Sequence, residues 1–370
     1  MQPYRVLVIG GYGFFGRRLV ERLARQGGLA VTVAGRSVQR GRILVDALQP
    51  RALARLDAAA LDIDAPGLAD ALRQLTPHAV VHTGGPFQGQ DYRVAQACIA
   101  CGAHYIDLAD GRDFVAGIAA LDAVARHAGL AILSGASSVP ALSGAAVDHL
   151  ARGLATLQQI DIGISPGNRT ERGLSTVRAI LGYCGQPLPG GAAQRFGWVG
   201  SWDHAYPAPV GRRLLSPCDV PDLVLLPPRF AGQPSVRFGA GLELWWLHRG
   251  MNALAWAVRR AWITDLSAHA GLLKRMADWF RRCGSDAGAM HVSVTGEPKD
   301  GGPPTRRWQL LAAAGDGPYV PTLAAAALVR QLQGGRLPFV GAAPCVGVLT
   351  LDAFAQECID LQIRMEQVPP

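Results

Sequence analysis

Lysine is nearly absent from this sequence, because only Lys274 and Lys299 among its 36 basic residues are not arginine. This scarcity is typical of a GC-rich, bacterial genome. It also excludes the Tyr-x-x-x-Lys pair of short-chain dehydrogenases, since neither lysine follows a tyrosine at that spacing. The positive charges are scattered, without a basic block or an aromatic-basic ladder, so the net charge of +8 indicates no nucleic-acid-binding surface.

The sequence also predicts no disulfide, no signal peptide and no metal site. There are seven cysteines, an odd number, and the first predicted strand begins at Tyr4, which leaves no room for a signal peptide. This pattern favours free thiols in a reducing, cytoplasmic environment. Cys98 and Cys101 form a C-x-x-C pair, but they lie in an apolar helical pattern where buried small residues are expected. No His/Cys cluster has metal-ligand spacing, so no metal is predicted.

Length and composition predict a globular protein of two domains. Hydrophobic residues make up 49% of the 370 residues and charged residues 17%, which is enough for a sizeable core. No apolar run reaches the roughly 20 residues that a transmembrane helix needs. The function must therefore be sought in motifs carried by a folded chain.

The strongest motif lies at the start of the chain. A run of Val, Leu and Ile at 4–9 ends on glycines, and a helical apolar pattern follows directly. Gly11, Gly13 and Gly16 spell G-x-G-x-x-G, while Gly10 with the last two spells G-x-x-G-x-x-G. Such glycines allow a tight turn, close approach of a pyrophosphate, and close packing of the helix on the sheet, while the helix N-terminus attracts phosphate. We therefore predict a dinucleotide site formed by Gly10, Gly11, Tyr12, Gly13, Phe14, Phe15 and Gly16.

The end of the second predicted strand indicates which dinucleotide binds. The apolar stretch 29–34 is followed by Gly35, Arg36 and Ser37, where an NAD enzyme usually carries an acid for the ribose 2′-OH. Here no acid is present, and Arg36 offers a guanidinium to a 2′-phosphate. Arg40 and Arg42 follow within one or two helical turns. The predicted cofactor is NADP(H).

Strands and helices alternate through residue 134. Helices are predicted at 39–48, 66–74, 94–101 and 114–128, and strands at 55–61, 79–83, 104–108 and 131–134. Repeated βαβ units of this kind predict a doubly wound, Rossmann-type parallel sheet. The loop Gly84, Gly85, Pro86 and Phe87 follows the fourth strand, at the sheet edge where the cofactor lies, and is predicted to contact its nicotinamide half.

Four motifs in this order resemble the NADP-binding domain of the saccharopine dehydrogenase-like family. They are the glycine turn, Ala34-Gly35-Arg36-Ser37, Gly85-Pro86-Phe87, and the segment 97–107 with its Ala-Cys and Gly-Ala-His-Tyr-Ile-Asp. Residues 135–140 resemble the family's passage into a second domain. The resemblance implies an NADP(H)-dependent oxidoreductase acting on a small molecule. Members often continue with Gly-Glu after this strand, whereas this chain reads Asp110-Gly111-Arg112.

The second half of the chain predicts a mixed α/β domain that binds substrate or forms a dimer. Strands are predicted at 157–164, 291–296 and 307–313, the last two antiparallel, and a helix at 321–332. The Pro/Gly-rich stretch 185–234 is predicted to be irregular, as a long loop or a lid. A strand at 345–350 and a helix at 351–364 resemble the family's C-terminal return onto the cofactor domain. The predicted domains are thus 1–140, with 345–370 packing back onto it, and 141–344.

Five of the eight tryptophans occur between residues 245 and 282, interleaved with seven arginines and lysines. Three interpretations remain open for this segment. It could form an aromatic layer in the core or at a homodimer interface, line a pocket for a bulky apolar substrate, or lie on a membrane surface as an amphipathic helix. The tryptophans are Trp245, Trp246, Trp256, Trp262 and Trp279.

Groups that could move a proton or bind the substrate are predicted in the loops at the carboxyl edge of the sheet. Arg112 could bind a carboxylate or phosphate through two hydrogen bonds. Each candidate could equally be structural, as a strand-end side chain, a helix cap or a surface charge. The catalytic candidates are Tyr105, Asp107, Arg112 and Ser138, with His104, Ser137, Asp110 and Asp113 beside them.

These observations predict an NADP-dependent oxidoreductase that transfers a hydride to or from a C=N, C=O or activated C=C carbon. The alternative is a catalytically idle NADP-binding protein that associates with lipid, a membrane surface or a partner through residues 245–282. Turnover of NADPH would separate the two hypotheses.

Overall fold

The computed structural model describes residues 2–190, 194–299, 301–337 and 339–368, and the chain divides into two compact units. The first unit comprises Met1–Leu142 and Tyr319–Glu357, and the second comprises Ser143–Pro318 and Cys358–Pro370. Residues 191–193 of the predicted irregular stretch 185–234 lie outside the described residues. The same holds for residues 369–370 of the predicted C-terminal segment 345–370.

Strands and helices of the described residues are numbered along the chain. The strands are β1 (Tyr4–Ile9), β2 (Leu29–Gly35), β3 (Arg55–Ala60), β4 (Ala79–His82), β5 (His104–Asp107), β6 (Ala131–Ser134), β7 (Leu154–Ser165), β8 (Pro187–Leu188), β9 (Arg195–Phe196), β10 (Trp202–Ala205), β11 (Arg212–Pro217), β12 (Ser235–Ala240), β13 (Gly288–Pro298), β14 (Thr305–Ala312), β15 (Gly341–Pro344) and β16 (Ile363–Val368). The α-helices are α1 (Phe14–Ala24), α2 (Val38–Leu48), α3 (Leu68–Leu75), α4 (Arg93–Cys101), α5 (Arg112–Gly117), α6 (Asp122–His127), α7 (Ser143–Ala151), α8 (Leu174–Tyr183), α9 (Asp222–Leu225), α10 (Trp245–Arg259), α11 (Ala270–Trp279), α12 (Val320–Gln333) and α13 (Leu351–Gln356). Short helical turns lie at Gln49–Arg51, Ile118–Leu121, Ser138–Leu142, Pro227–Arg229, Ser267–His269 and Gly317–Tyr319.

The first unit is built on a parallel sheet in the order β15-β6-β5-β4-β1-β2-β3. Its central strands are apolar without alternation, and Val8, Val80, Ile106 and Ile132 are fully buried, as expected when helices cover both faces. The direction of strand addition reverses at β1, between β2 and β4, which opens a crevice at the carboxyl ends of these strands. The prediction of a doubly wound parallel sheet is confirmed.

The helix predicted at 114–128 is divided into α5, the short turn Ile118–Leu121, and α6. The hydroxyl of Tyr92 lies at this break, where it donates a hydrogen bond to the carbonyl oxygen of Phe114 at 2.8 Å. The same hydroxyl fills the space beside Gly117, where a Cβ would overlap with it. The Tyr92 hydroxyl therefore contacts the chain on both sides of this break.

The C-terminal segment differs from its prediction. Residues 345–350 form a bend instead of a strand, and the neighbouring strand is β15, which pairs with β6 and precedes the bend. Helix α13 ends after six residues, just before Glu357, whose buried carboxylate is bonded to Arg330 at 2.7 Å. The chain then forms β16, which pairs with β14 in the second unit. Residues 319–357 accordingly lie with the first unit and 358–370 with the second.

The second unit contains a mixed sheet in the order β10-β11-β12-β7-β13-β14-β16. Strand β12 runs parallel to β7, and the other neighbours are antiparallel. Ile160, Ile162, Val292 and Val294 alternate along β7 and β13 on the buried face. The strands predicted at 157–164, 291–296 and 307–313 are present with longer bounds. The stretch predicted as irregular, 185–234, contains β8 to β11 and α9, so it is not a single long loop.

The five tryptophans of 245–282 are exposed in this chain. The interpretation that they form an aromatic layer in the core of the chain is therefore wrong. In α10 the buried residues are His248, Ala255 and Val258, and Val258 lies on the far side of the helix from Trp256. These three side chains, and not the tryptophans, hold α10 against the rest of the second unit. No helix in the described ranges is both long and apolar enough to cross a membrane.

None of the seven cysteines, all of them among the described residues, forms a disulfide. In the C-x-x-C pair, Cys98 is fully buried in α4, and Cys101 donates its thiol hydrogen to the carbonyl oxygen of Cys98. Burial raises the pKa of the Cys98 thiol well above its ordinary value. This pair therefore lacks the accessible thiolate that redox chemistry requires.

Candidate functional site

Backbone contacts define the turn after β1. Gly10 has a φ of +73°, which favours glycine, and its carbonyl oxygen accepts a hydrogen bond from the Gly13 amide at 2.7 Å. Helix α1 packs so closely on this turn that a Cβ on Gly16 would overlap with the Gly10 carbonyl oxygen and the Thr83 hydroxyl. No side chain caps the helix at Gly13, so the first amides of α1 remain available to an anion.

Tyr12 links this turn to the end of β2. Its hydroxyl accepts a hydrogen bond from the Ser37 amide at 3.0 Å, and its ring lies where a Cβ of Gly35 would stand. The Arg40 guanidinium stacks over the same ring at 4.8 Å from its centroid. Ser37 also caps α2, because its hydroxyl accepts a hydrogen bond from the Arg40 amide at 3.3 Å. The β1 and β2 loops therefore form one continuous surface.

Arg36 is exposed at the carboxyl end of β2, and its guanidinium has no partner among the described residues. No acidic residue occurs between the last glycine of β2 and Arg42. This donor set fits a ribose 2′-phosphate and offers no acceptor for a 2′-hydroxyl. The two neighbouring side chains, Ser37 and Arg40, are engaged with Tyr12 and the α2 cap, so Arg36 is the free cation at this position.

The loop after β4 is fixed by a side chain that the motifs did not reveal. Gln90 donates from Nε2 to the carbonyl oxygens of Gly84 at 2.9 Å and Pro86 at 2.7 Å, and its Oε1 lies 3.3 Å from His82 Nε2. The ring of Phe87 packs edge-on against His82 at 5.1 Å. Burial lowers the pKa of His82 to about 4, so this imidazole is neutral at physiological pH. A sequence signal for this arrangement was available, because the polar residues His82 and Gln90 flank the loop. The carbonyl groups of such a loop need hydrogen-bond donors.

The predicted cofactor residues lie together at one edge of the sheet. Strands β4, β1 and β2 are adjacent, so the loops that follow them meet at their carboxyl ends. Thr83 joins two of these loops directly, because its hydroxyl donates to the Ile9 carbonyl oxygen at 2.8 Å and contacts Gly10. Gly85 lies in the loop after β4, against the Phe87 ring. Phe14 and Phe15 occupy the first turn of α1, where their rings contact each other.

Two catalytic candidates, Tyr105 and Asp107, are buried. Asp107 Oδ1 accepts hydrogen bonds from the Gly135 amide at 2.8 Å, the Ala109 amide at 2.9 Å and the Ser134 hydroxyl at 3.0 Å. Burial raises the pKa of Asp107 to about 6 against the effect of these bonds, and burial also raises the pKa of Tyr105 well above its ordinary value. The carboxylate thus ties together the loops that follow β5 and β6.

The remaining candidates lie nearer the surface. Arg112, the first residue of α5, is about a quarter exposed and pairs with the highly exposed Asp113 at 2.6 Å. Asp110 is half-buried in the loop between β5 and α5, and Gln88 Nε2 donates to it at 3.4 Å. Burial raises the pKa of Asp110 above its ordinary value. Ser138 is also half-buried, after β6. The loops after β5 and β6 therefore carry a half-buried carboxyl group at Asp110, a partly exposed guanidinium at Arg112 and a half-buried hydroxyl at Ser138.

Comparisons with known proteins agree with this geometry. Residues 6–133 match the family model for the saccharopine dehydrogenase NADP binding domain. Among solved structures, the chain is similar to saccharopine dehydrogenase (L-Glu forming) from Saccharomyces cerevisiae, with 12% identity, a TM-score of 0.65, and 99% of this chain and 100% of that chain covered. It is also similar to amine dehydrogenase from Mycobacterium smegmatis, with 11% identity, a TM-score of 0.50, and 93% and 95% covered. No curated protein gives a significant sequence match. At these identities the structural similarity concerns the fold.

Proposed function

Residues 6–133 belong to the family of saccharopine dehydrogenase NADP-binding domains, and from this premise we propose that the chain is an NADP(H)-dependent oxidoreductase. The observation that carries the proposal is the joint occurrence of an uncapped glycine turn and a free arginine at one sheet edge. NADP(H), when bound, supplies a hydride to a C=N, C=O or activated C=C carbon, or accepts one from the reduced carbon. The substrate is a small molecule.

Different residues at this edge bind different parts of the cofactor. The amides at the start of α1 hold the pyrophosphate, because Gly13 leaves them uncapped. Arg36 binds the 2′-phosphate, and Ser37 adds a hydroxyl beside it. The loop from Gly84 to Phe87, held by Gln90, forms the wall for the nicotinamide half. A rigid wall there limits the positions that a substrate can take over the ring.

The proton that accompanies hydride transfer needs a donor or acceptor at the same edge. We assign this role to Asp110, because it is half-buried in the loop between β5 and α5 and because burial raises its pKa above the ordinary value. Arg112 lies two residues further on and can bind an anionic group of the substrate. Ser138 is a second hydroxyl within the loops of this edge. Tyr105 and Asp107 act by positioning these loops, since both are buried.

The cofactor assignment is tested by measuring NADPH and NADH affinities of Arg36→Ala. We expect NADPH to bind about 10–100-fold more weakly, because a charge-assisted contact contributes roughly 1.5–3 kcal/mol, while NADH affinity stays unchanged. Arg55→Ala is the matched control, since Arg55 is an exposed arginine at the amino end of the neighbouring strand β3. Equal losses for both dinucleotides would contradict the assignment.

The enzyme assignment is tested by following NADPH oxidation with imines, ketones and activated alkenes as separate panels. Once a substrate is found, Asp110→Asn should lower kcat by about 100-fold or more and leave NADPH affinity unchanged. Asp46→Asn, an exposed carboxylate on α2, is the control. NADPH binding without turnover in any panel would favour the catalytically idle alternative. An unchanged kcat in Asp110→Asn would remove Asp110 from the mechanism.

A cytoplasmic location is consistent with this activity. None of the seven cysteines, which all lie among the described residues, forms a disulfide, and five of them are buried, where oxidation would disrupt packing. Cellular fractionation with an antibody against the chain would test this location, and recovery with periplasmic or secreted proteins would contradict it.

A further inference from the structure

The exposed tryptophans are concentrated in one segment of the second unit. All of the exposed tryptophan and phenylalanine side chains in the described residues lie between 245 and 282. We call the exposed side chains of residues 245–282 the tryptophan surface. Burying one such side chain is worth about 1.5–3 kcal/mol, so a group of them left in water is costly. Such a patch marks an interaction site. The exposed fractions are 65% for Trp245, 43% for Trp246, 41% for Trp256, 70% for Trp262 and 80% for Trp279.

The helical register places several of these side chains on one stripe. On α10, Trp245, Arg249 and Trp256 are separated by four and seven residues, and Arg260 continues the stripe just after the helix ends. The buried Val258 lies on the other side of the helix, and His248 at the border of the stripe is also buried, so both already bind the helix to its own unit.

Helix α11 repeats this arrangement. Leu272, Arg275, Met276 and Trp279 follow one another at helical spacing, and all four are exposed. The only buried residue of α11 is Ala270, at its start. Both helices therefore keep a face with apolar and basic side chains in solvent.

Four of the five tryptophans contact each other in pairs. Trp245 and Trp246 meet edge to face at 5.9 Å, and Trp256 and Trp262 at 4.8 Å. The Arg260 guanidinium lies 5.0 Å from the Trp256 ring centroid. An alternation of aromatic rings and guanidinium groups suits a boundary that is apolar on one side and anionic on the other.

The charge of the tryptophan surface is strongly positive. Residues 245–282 contain seven arginines and lysines but only two acids, Asp265 and Asp278, out of a chain whose net charge is +8. Asp278 is already paired with Lys274 at 2.6 Å. The patch thus carries most of the excess charge of the protein, and its acids do not neutralise the exposed arginines.

We propose that the tryptophan surface binds the anionic surface of a lipid bilayer. The indole rings enter the headgroup region, where tryptophan is favoured, and the arginines pair with lipid phosphates at about 1 kcal/mol for each basic residue near the membrane. A second copy of this chain fits less well, because a two-fold interface would place the positive patch against itself. The helices lie on the bilayer, since neither is long enough to cross it.

The test is co-sedimentation of the full chain with vesicles of phosphatidylcholine alone and of phosphatidylcholine mixed with phosphatidylglycerol. We expect binding to the anionic vesicles at least about tenfold tighter than to neutral ones, weakened by salt, with a blue shift of tryptophan fluorescence. Arg249→Glu with Arg260→Glu should reduce the anionic binding by about 100-fold or more, because two positive charges are replaced by negative ones. Trp262→Ser with Trp279→Ser should reduce it by about tenfold.

The controls separate lipid binding from loss of fold and from self-association. Ile43→Ser with Leu53→Ser removes two similarly exposed apolar side chains of the first unit and should leave vesicle binding unchanged. All variants should keep wild-type NADPH affinity and circular dichroism, which shows that they fold. No binding to anionic vesicles, or equal binding to both vesicle types, would overturn the proposal. If the wild type is a dimer and the double variant Trp262→Ser with Trp279→Ser is a monomer, the tryptophan surface would be assigned to self-association instead.

Discussion

The carboxyl edge of the first sheet and the tryptophan surface of the second unit are built in opposite ways. At the edge, backbone groups and small residues are in close contact, as where Gly16 meets the Gly10 carbonyl. On the tryptophan surface, large side chains such as Trp262 and Trp279 project into solvent. The comparison shows two ways of making a site: a backbone shape that a ligand completes, and an apolar, charged face that a partner covers. Substitutions should therefore affect the two regions independently.

The largest expected effect is that of Gly16→Ala. Its Cβ would overlap with the Gly10 carbonyl oxygen, so α1 must move away from the turn that holds the pyrophosphate. We expect NADPH affinity to fall by about 100-fold or more and the free energy of unfolding by several kcal/mol, as for other changes that force backbone displacement. Calorimetric titration and urea unfolding measure these quantities.

Gly27→Ala is the matched control for this substitution. Gly27 follows α1, has no atom within 4 Å of its Cβ position, and has no positive φ. Its replacement should change stability by less than about 0.5 kcal/mol. Wild-type NADPH affinity in Gly16→Ala would show that close packing of α1 on the turn is not required. Binding of Gly16→Ala to anionic vesicles should remain as in the wild type, provided that the variant folds.

A smaller effect is expected from a buried carboxylate of the second unit, Asp222. One of its oxygens accepts a hydrogen bond from the Ser143 hydroxyl, and the other has no partner among the described residues. Burial raises the pKa of Asp222 to about 6. Because the folded-state pKa is above the unfolded value of about 4, the wild-type chain loses stability as pH rises from about 4 through 6.

Asp222→Asn removes this titration and keeps an acceptor for Ser143. The free energy of unfolding of the variant should match that of the wild type near pH 4.5 and exceed it by about 1–2 kcal/mol at pH 8. Urea unfolding at both pH values is the measurement. A difference that is constant with pH, or that shrinks as pH rises, would contradict the assignment of a costly buried charge.

The smallest effect concerns Gln90, which holds the loop from Gly84 to Phe87. In Gln90→Ala the two loop carbonyl groups lose their donor, so the wall of the nicotinamide half becomes less rigid. We expect NADPH affinity to fall by about 3–10-fold, which corresponds to roughly 1 kcal/mol for a neutral hydrogen-bonding group. Gln96→Ala, an exposed residue of α4, should have no effect. An unchanged affinity in Gln90→Ala would mean that Pro86 and its neighbours hold the loop without help.

The first unit could be predicted from sequence because its constraints are local. The apolar run at β1, the glycines after it and the arginine after β2 each act within a few residues of their own position. The role of Gln90 escaped prediction because two of its partners are backbone carbonyl groups, which carry no sequence signature, and His82 takes part only through Gln90. Tyr12 was assigned to the site, but its hydrogen bond to the Ser37 amide depends on how two loops meet.

The second unit shows where such prediction fails. Helix α10 has apolar side chains on both faces, so its pattern alone could not decide which face is buried; the buried one carries Ala255 and Val258, and Trp245 stays exposed. The C-terminal segment was predicted as one helix to residue 364, yet it turns after α13 and adds β16 to another sheet. Both errors come from tertiary contacts that periodicity does not encode.

The central claim is that the carboxyl edge of the first sheet binds NADP(H) and selects it through Arg36. Calorimetric titration of the purified chain with NADPH and, separately, with NADH tests this claim most directly. We predict saturable NADPH binding at least about tenfold tighter than NADH binding, in line with one charge-assisted contact to the 2′-phosphate. Equal affinities for the two dinucleotides, or binding of neither, would contradict the claim.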